Sequence, residues 1–226
     1  TLVPLAKPNV ATGMGLERVL TVLNGQASVY DTELFAPFFE VIALSQQIMT
    51  NDEVRRARIV VDHVRASVFI VGDGVEPSNK DRGYIVRRLL RRAMVYAKLL
   101  NLQPHWLESL VGKVVTIYAE SYPELVKDSN RIFGVIEAEQ AKFGKTLEKG
   151  LKEFEKQFAS KNKITGTDAF NLYQTFGFPL ELTRELAQTS GQQVNEQEFK
   201  DEFKKHQDLS EAAKYVLVFD YFCTKI

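Results

Sequence analysis

Val54, Ala57, Val61, Val64, Val68 and Val71 recur at alternating steps of three and four through a segment so rich in valine that residue preference alone would suggest a strand. An α-helix turns once in 3.6 residues, so this spacing gathers the six side chains on one helix face; a strand would scatter them over both of its faces. The same period runs through Phe35, Phe38, Phe39 and Ile42, in a segment expected to be helical from Thr32 to about Met49. It returns in Ile132, Ile136, Phe143, Leu147, Leu151, Phe154 and Phe158, within an expected helix over 123–159. Breaks fall at Gly72 and Gly74, the Pro77-Ser78-Asn79 turn, Pro104, Gly177-Phe178-Pro179 and Gly191. Further helices are expected over Leu16 to Leu23, Arg82 to Leu100, 105–121, Thr167 to Gln174, Glu181 to Ser190 and 195–214, while the aromatic run 215–222 fits either type. Only residues 1–11, rich in Pro and Val, read as strand, with Gly13 and Gly15 turning it into the first helix. The expected fold class is mainly α.

Composition narrows the chemistry. With 226 residues, 45% of them hydrophobic, the chain can bury a substantial core. One cysteine, Cys223, excludes an internal disulfide framework and a multi-cysteine zinc site, and agrees with a reducing, cytoplasmic compartment. No run approaches the roughly 18 apolar residues of a membrane span, so no membrane partner is expected. His63, His105 and His206 lie in separate segments, no Ser-His-Asp or Cys-His arrangement is suggested, and no metal site is expected. Asp62-His63-Val64-Arg65 reads as a hydrogen-bonded structural cluster. The start, Thr1-Leu2-Val3-Pro4, carries neither an initiator Met nor a signal peptide, which fits a piece of something longer.

Lys and Arg number 29 and so do Asp and Glu, yet residues 82–98 hold Arg82, Arg87, Arg88, Arg91, Arg92 and Lys98 with no acid among them. At about 100° per residue, Ile85, Val86, Leu89, Leu90, Ala93, Ala97 and Leu100 share one arc, opposite Arg87, Arg88, Arg91, Arg92 and Lys98. A merely solvated face mixes its charges, whereas this one repels itself unless an anion neutralises it. Phosphate is the natural counterpart of arginine's planar fork, and such a helix supplies salt-dependent affinity and orientation, not sequence discrimination. Just before it, Ser78 or Asn79 is placed to cap the helix, and Gly83 in the first turn lets another surface come close. The stretch Thr12-Gly13-Met14-Gly15-Leu16-Glu17-Arg18 fits a plain turn with a surface arginine. That is the better reading of the spacing alone; as chemistry, the glycines would also admit a ligand against the backbone, with Arg18 meeting a triphosphate.

These segments, in this order, resemble the alanyl-tRNA synthetases, a family of class II aminoacyl-tRNA synthetases. The resemblance is carried by Thr12 to Arg18, Tyr30-Asp-Thr-Glu-Leu-Phe35, Asp62-His-Val-Arg65, Asp73-Gly-Val-Glu-Pro-Ser-Asn79, Arg82-Gly-Tyr-Ile-Val-Arg-Arg88 and Leu172-Tyr-Gln-Thr-Phe-Gly-Phe-Pro179. It implies that residues 1–24 end a class II catalytic domain, with Gly13, Gly15 and Arg18 in motif 3 on the ATP and alanine pocket, and that residues 25–226 form a helical tRNA-recognition domain. It further implies that Asn79 reads a G·U pair at the third position of the acceptor stem of tRNA(Ala), that Gln174 stands at the second reading position, and that Arg82, Arg87, Arg88, Arg91 and Arg92 hold backbone phosphates. DNA is not an expected partner. Two departures stand out: Ala11 replaces an acid that in the family holds the alanine ammonium, and Gln174 replaces an aspartate.

The resemblance thus implies part of an ATP-dependent ligase that joins alanine to tRNA(Ala), using ATP with Mg2+. Motifs 1 and 2 are not in the sequence, so the 226-residue chain alone is expected to be inactive and to take no cofactor of its own. The rival reading is a non-catalytic helical RNA-binding module derived from the synthetase. A protein-interaction domain would instead show an exposed apolar stripe where this sequence has its arginines.

Overall fold

A reciprocal capping box opens the valine-rich helix: the backbone N–H of Thr50 donates to Glu53 Oε2 at 2.9 Å, and that of Glu53 donates to Thr50 Oγ1 at 3.3 Å. In the computed structural model, which describes residue 7 and residues 13–42, 50–160, 163–189 and 191–223, the helices are as follows. α1 is Leu16–Leu23, α2 Ala36–Val41, α3 Asn51–Gly72, α4 Asp81–Leu99 and α5 Trp106–Tyr118. α6 is Pro123–Lys127, α7 Ser129–Ser160, α8 Gly166–Phe176, α9 Leu180–Thr189 and α10 Glu196–Cys223. The fold is mainly α, and among the described residues the only β-type pairing is an isolated parallel bridge between Ile164 and Val194.

Ala57, Val61, Val64, Val68 and Val71 are buried along α3, which lies against α4 and α5. α4 is enclosed on more than one side. Val86, Leu90, Ala93 and Ala97 are buried as their spacing implies, but so are Met94, Val95 and Tyr96, while Ile85 is exposed. The reason is that α7 packs on α4 from a second direction and itself carries α8.

Some boundaries differ from the periodicity. The helix expected from Thr32 becomes a 3-10 turn at Val29–Asp31 followed by the short α2, which stops at Ile42; residues 43–49 lie outside the described residues. The segment 123–159 divides at Asp128, whose carboxylate takes a 3.0 Å bond from Arg131. Arg131 also donates to the carbonyls of Val71 and Gly72, 2.9 Å each, and so satisfies the end of α3. The charged helix and the aromatic run are continuous in backbone as α10. The strand expected over 1–11, with Ala11, falls outside the described residues but for Lys7.

Candidate nucleic-acid interface

Neither Ser78 nor Asn79 caps α4. The N-cap is Lys80, without a side-chain bond, and Ser78 Oγ is engaged with Lys80 itself, donating to its carbonyl at 2.9 Å and accepting from its N–H at 3.3 Å. The approach that Gly83 permits is real, but the surface that approaches is the chain's own. Ser78 N–H donates to Gly83 O at 3.0 Å, and a Cβ at Gly83 would come within 2.2 Å of Ser78 Oγ and 2.5 Å of Glu76 O. The 76–78 loop is thereby clamped to the first turn of α4, and Asn79 stands exposed at its tip. Arg87 holds this loop from behind, donating through Nη1 to Asn79 Oδ1 and through Nη2 to Pro77 O at 3.1 Å.

The arginine row does not stand open as the helical wheel implies. Arg88 pairs with Glu181 at 2.9 Å, and Arg92 grips Glu185, its Nε 2.9 Å from Oε2. Arg91 donates through Nε to Glu139 Oε1 at 2.7 Å, and Arg87 Nε lies 3.3 Å from the same oxygen. The anions that neutralise this face are therefore carboxylates of α7 and α9. The wheel located the side of α4 correctly but had no information about which other helices cover it. Glu139 is 2% exposed, and a carboxylate so buried requires such partners, because its desolvation alone costs several kcal/mol. Arg82 and Lys80, in contrast, are exposed and have no ion-pair partner among the described residues.

α8 ends in a left-handed cap at Gly177, φ +71°, where Gly177 N–H reaches Tyr173 O at 2.9 Å and Phe178 N–H reaches Leu172 O at 3.2 Å. Gln174, in the last turn of α8, is exposed. Arg91 Nη1 donates to Gly177 O at 2.9 Å while its guanidinium lies over the Phe143 ring, 4.9 Å from the centroid. A continuous relay results, from Asn79 through Arg87, Glu139 and Arg91 to the turn beside Gln174. Behind it, a second polar cluster joins α3, α4 and α9. Arg92 Nη1 donates to His63 Nε2 at 2.8 Å, and the Tyr96 hydroxyl donates to Glu185. Burial, then the Glu185 contact, pushes the Tyr96 hydroxyl up to about 12. The Asp62–Arg65 segment serves structure as read, its Arg65 donating to Glu17 of α1 at 2.7 Å and to the Tyr118 hydroxyl at 2.9 Å.

At the amino-terminal side, Gly13, Gly15 and Arg18 are exposed, and Arg18 has no ion-pair partner among the described residues. Gly15 sits at φ −73°, which any residue adopts, and nothing lies within 4 Å of a Cβ added at Gly13, so neither the backbone nor the neighbours described here demand glycine. No hydrogen bond among the described residues joins these three directly to Asn79 or Gln174. Sequence reasoning missed Glu139, Glu181 and Glu185. The last two stand four apart, matching the four-residue step of Arg88 and Arg92, and that correspondence was available.

The sequence profile of tRNA synthetases class II (A) matches residues 1–218. The chain belongs to this family. Among curated relatives, the alanine–tRNA ligase of Thermotoga maritima is 41% identical over 213 residues, which cover 93% of this chain and 25% of that protein. The alanine–tRNA ligase of Elusimicrobium minutum is 40% identical over 215 residues, 93% of this chain and 24% of the relative. That of Borreliella afzelii is 45% identical over 208 residues, covering 89% and 35%. The chain thus spans about a quarter to a third of the length of these relatives. No helix among its described residues is long and apolar enough to cross a membrane.

Proposed function

We propose that this chain is the tRNA-docking body of an alanine–tRNA ligase, binding the acceptor stem of tRNA(Ala). Its parent activates alanine with ATP and transfers it to that tRNA. The observation that carries the reading is the pair of exposed amides, Asn79 and Gln174, held at the two ends of one relay of charged side chains. A-form RNA displays base edges in a wide, shallow minor groove that short amide side chains can reach, and a G·U pair offers an exocyclic amine and a carbonyl there. Because Asn79 Oδ1 already accepts from Arg87, its amide hydrogens are the groups that face outward as donors. Backbone phosphates fall to Arg82 and Lys80, which are exposed, and to Arg88, 35% exposed and able to exchange Glu181 for a phosphate. Arg87, Arg91 and Arg92 act mainly by holding the readers in place.

On this reading residues 1–24 belong to the catalytic side and residues 25–226 to the docking body. Gly13, Gly15 and Arg18 then face ATP and alanine, and the exposed Arg18 guanidinium suits a phosphate oxygen. Bound ATP supplies the adenylating group. Mg2+ would accompany that nucleotide.

The test is binding of two acceptor-stem hairpins, identical but for G·U or G·C at the third pair, at one salt concentration. Asn79→Ala should cost about 1–3 kcal/mol against the G·U hairpin and much less against G·C. Equal weakening of both would remove Asn79 from readout.

A further inference from the structure

Glu139 occupies a position where the pattern of α7 calls for an apolar side chain. Ile132, Ile136 and Phe143 share its face and are buried, and among the described residues Glu139 is the buried acid. A leucine there would carry no desolvation penalty; a carboxylate persists because two guanidiniums converge on its Oε1, Arg91 at 2.7 Å and Arg87 at 3.3 Å. Each of these arginines has a second attachment. Arg87 reaches Asn79 Oδ1 and Pro77 O, and Arg91 reaches Gly177 O. Arg91 Nε is hydrogen-bonded to that oxygen, whereas Arg87 Nε meets it as an ion pair. A guanidinium is a rigid planar fork, so holding its Nε side sets the direction in which its Nη atoms donate. One carboxylate oxygen is therefore the common origin from which both the Asn79 loop and the turn after Gln174 are placed.

We propose that Glu139 is a positioning residue for base-pair discrimination: through Arg87 it orients the Asn79 amide, and through Arg91 it sets the spacing between Asn79 and Gln174. This rests on the acceptor-stem reading above. Glu139 touches no RNA itself, being buried, and its influence is carried by its ion pair with Arg87 and its hydrogen bond from Arg91, not by charge presented to phosphate. Glu139→Gln keeps the shape and an acceptor oxygen but removes the negative charge that holds Arg87 and Arg91 together on it. The Arg87 fork is then free to turn, and the Asn79 amide with it.

The experiment compares affinities for the G·U and G·C hairpins in the wild type, Asn79→Ala, Glu139→Gln and the Asn79→Ala/Glu139→Gln double variant. Glu139→Gln should lower the G·U to G·C affinity ratio by about fivefold or more while changing affinity for G·C by less than about twofold. The double variant should lose little beyond Asn79→Ala alone, since both act through one amide. A merely structural Glu139 would weaken both hairpins alike and leave the ratio unchanged, which overturns the proposal. Additive losses in the double variant overturn it as well. If the wild type shows no preference for G·U, the acceptor-stem reading itself fails, an outcome distinct from a wild type that discriminates and a Glu139→Gln variant that still does. Should Glu139→Gln not fold, as judged by circular dichroism, Arg87→Lys decides. It keeps a cation facing Glu139 but cannot reach Asn79 and Pro77 together, and it should lower the ratio by a similar factor; an unchanged ratio there rejects the proposal.

Discussion

Arg91 donates to the carbonyl of Gly177 across 86 positions of sequence, and the two groups fit so closely that a Cβ on Gly177 would lie 2.0 Å from Arg91 Nη1. Gly177 is thus constrained twice, by its left-handed φ of +71° and by the guanidinium beside it. Gly177→Ala should destabilise the fold by roughly 2–3 kcal/mol, about 1 from the backbone and the rest from displacing Arg91. Urea unfolding followed by circular dichroism measures this. A loss below about 0.5 kcal/mol would mean that Arg91 yields without cost.

Two parallel ion pairs between α4 and α9 should differ in strength. Arg88 and Glu181 are 35% and 34% exposed, which limits the pair to under about 1 kcal/mol, whereas Arg92 and Glu185 are 22% and 16% exposed and also engage His63 and Tyr96. Arg92→Ala is expected to cost roughly 2–4 kcal/mol, because it leaves the half-buried Glu185 with the Tyr96 hydroxyl but without its cation. Double-mutant cycles on the two pairs should give coupling energies in the same order; the reverse order would contradict the packing of α9 on α4.

Alkali should unfold the protein partly through Tyr96. Its hydroxyl titrates at about 12 when folded and near ~10 when unfolded, so between these values the unfolded chain releases a proton that the folded one keeps. That contribution is present in full below pH ~10 and is lost as pH rises toward 12. Burial raises Tyr30, Tyr84 and Tyr173 as well, with the same sign. Denaturant midpoints across this range should fall more steeply for the wild type than for Tyr96→Phe, and equal slopes would count against the shift.

Arg82 and Arg91 should separate in their dependence on salt. If the acceptor stem docks as proposed, Arg82→Ala removes a phosphate contact and flattens log affinity against log salt by about one unit at unchanged thermal stability. Arg91→Ala should instead lower the unfolding temperature and leave the slope nearly intact. An untouched slope in Arg82→Ala would return that side chain to plain solvent exposure.

Much of the helical layout was legible because α3 and α7 bury continuous stripes, and a 3.6-residue period survives even when valine supplies it. The division at Asp128 was not legible, since Pro123 can begin a helix and the apolar register continues past the break; Arg131, reaching out to the end of α3, is what gives the break its use. At the candidate interface Asn79 and Gln174 are exposed, but the state of the arginine row was hidden. Helical spacing tells which side chains share a face. It does not tell what covers the face, and here the cover comes from α7 and α9, whose carboxylates look like ordinary surface acids in one dimension. Sequence could have flagged Glu139 too, an acid standing in the register of Ile132, Ile136 and Phe143.

The partners of the arginine row are far along the chain, and this orders its assembly. Arg91 finds Glu139 48 positions later, while Arg88 and Arg92 find Glu181 and Glu185 only after 93. During synthesis, α3 and α4 can pair as soon as they emerge, since their contact is apolar and local, but α4 then carries an uncompensated cationic flank until α7, and finally α9, has been made. Each closure encloses a long loop whose entropy must be lost before the contact is gained, which favours slow final docking of α9 onto an already formed body. A nascent chain halted between α7 and α9 would present Arg92 to any passing polyanion, and the mature protein would not.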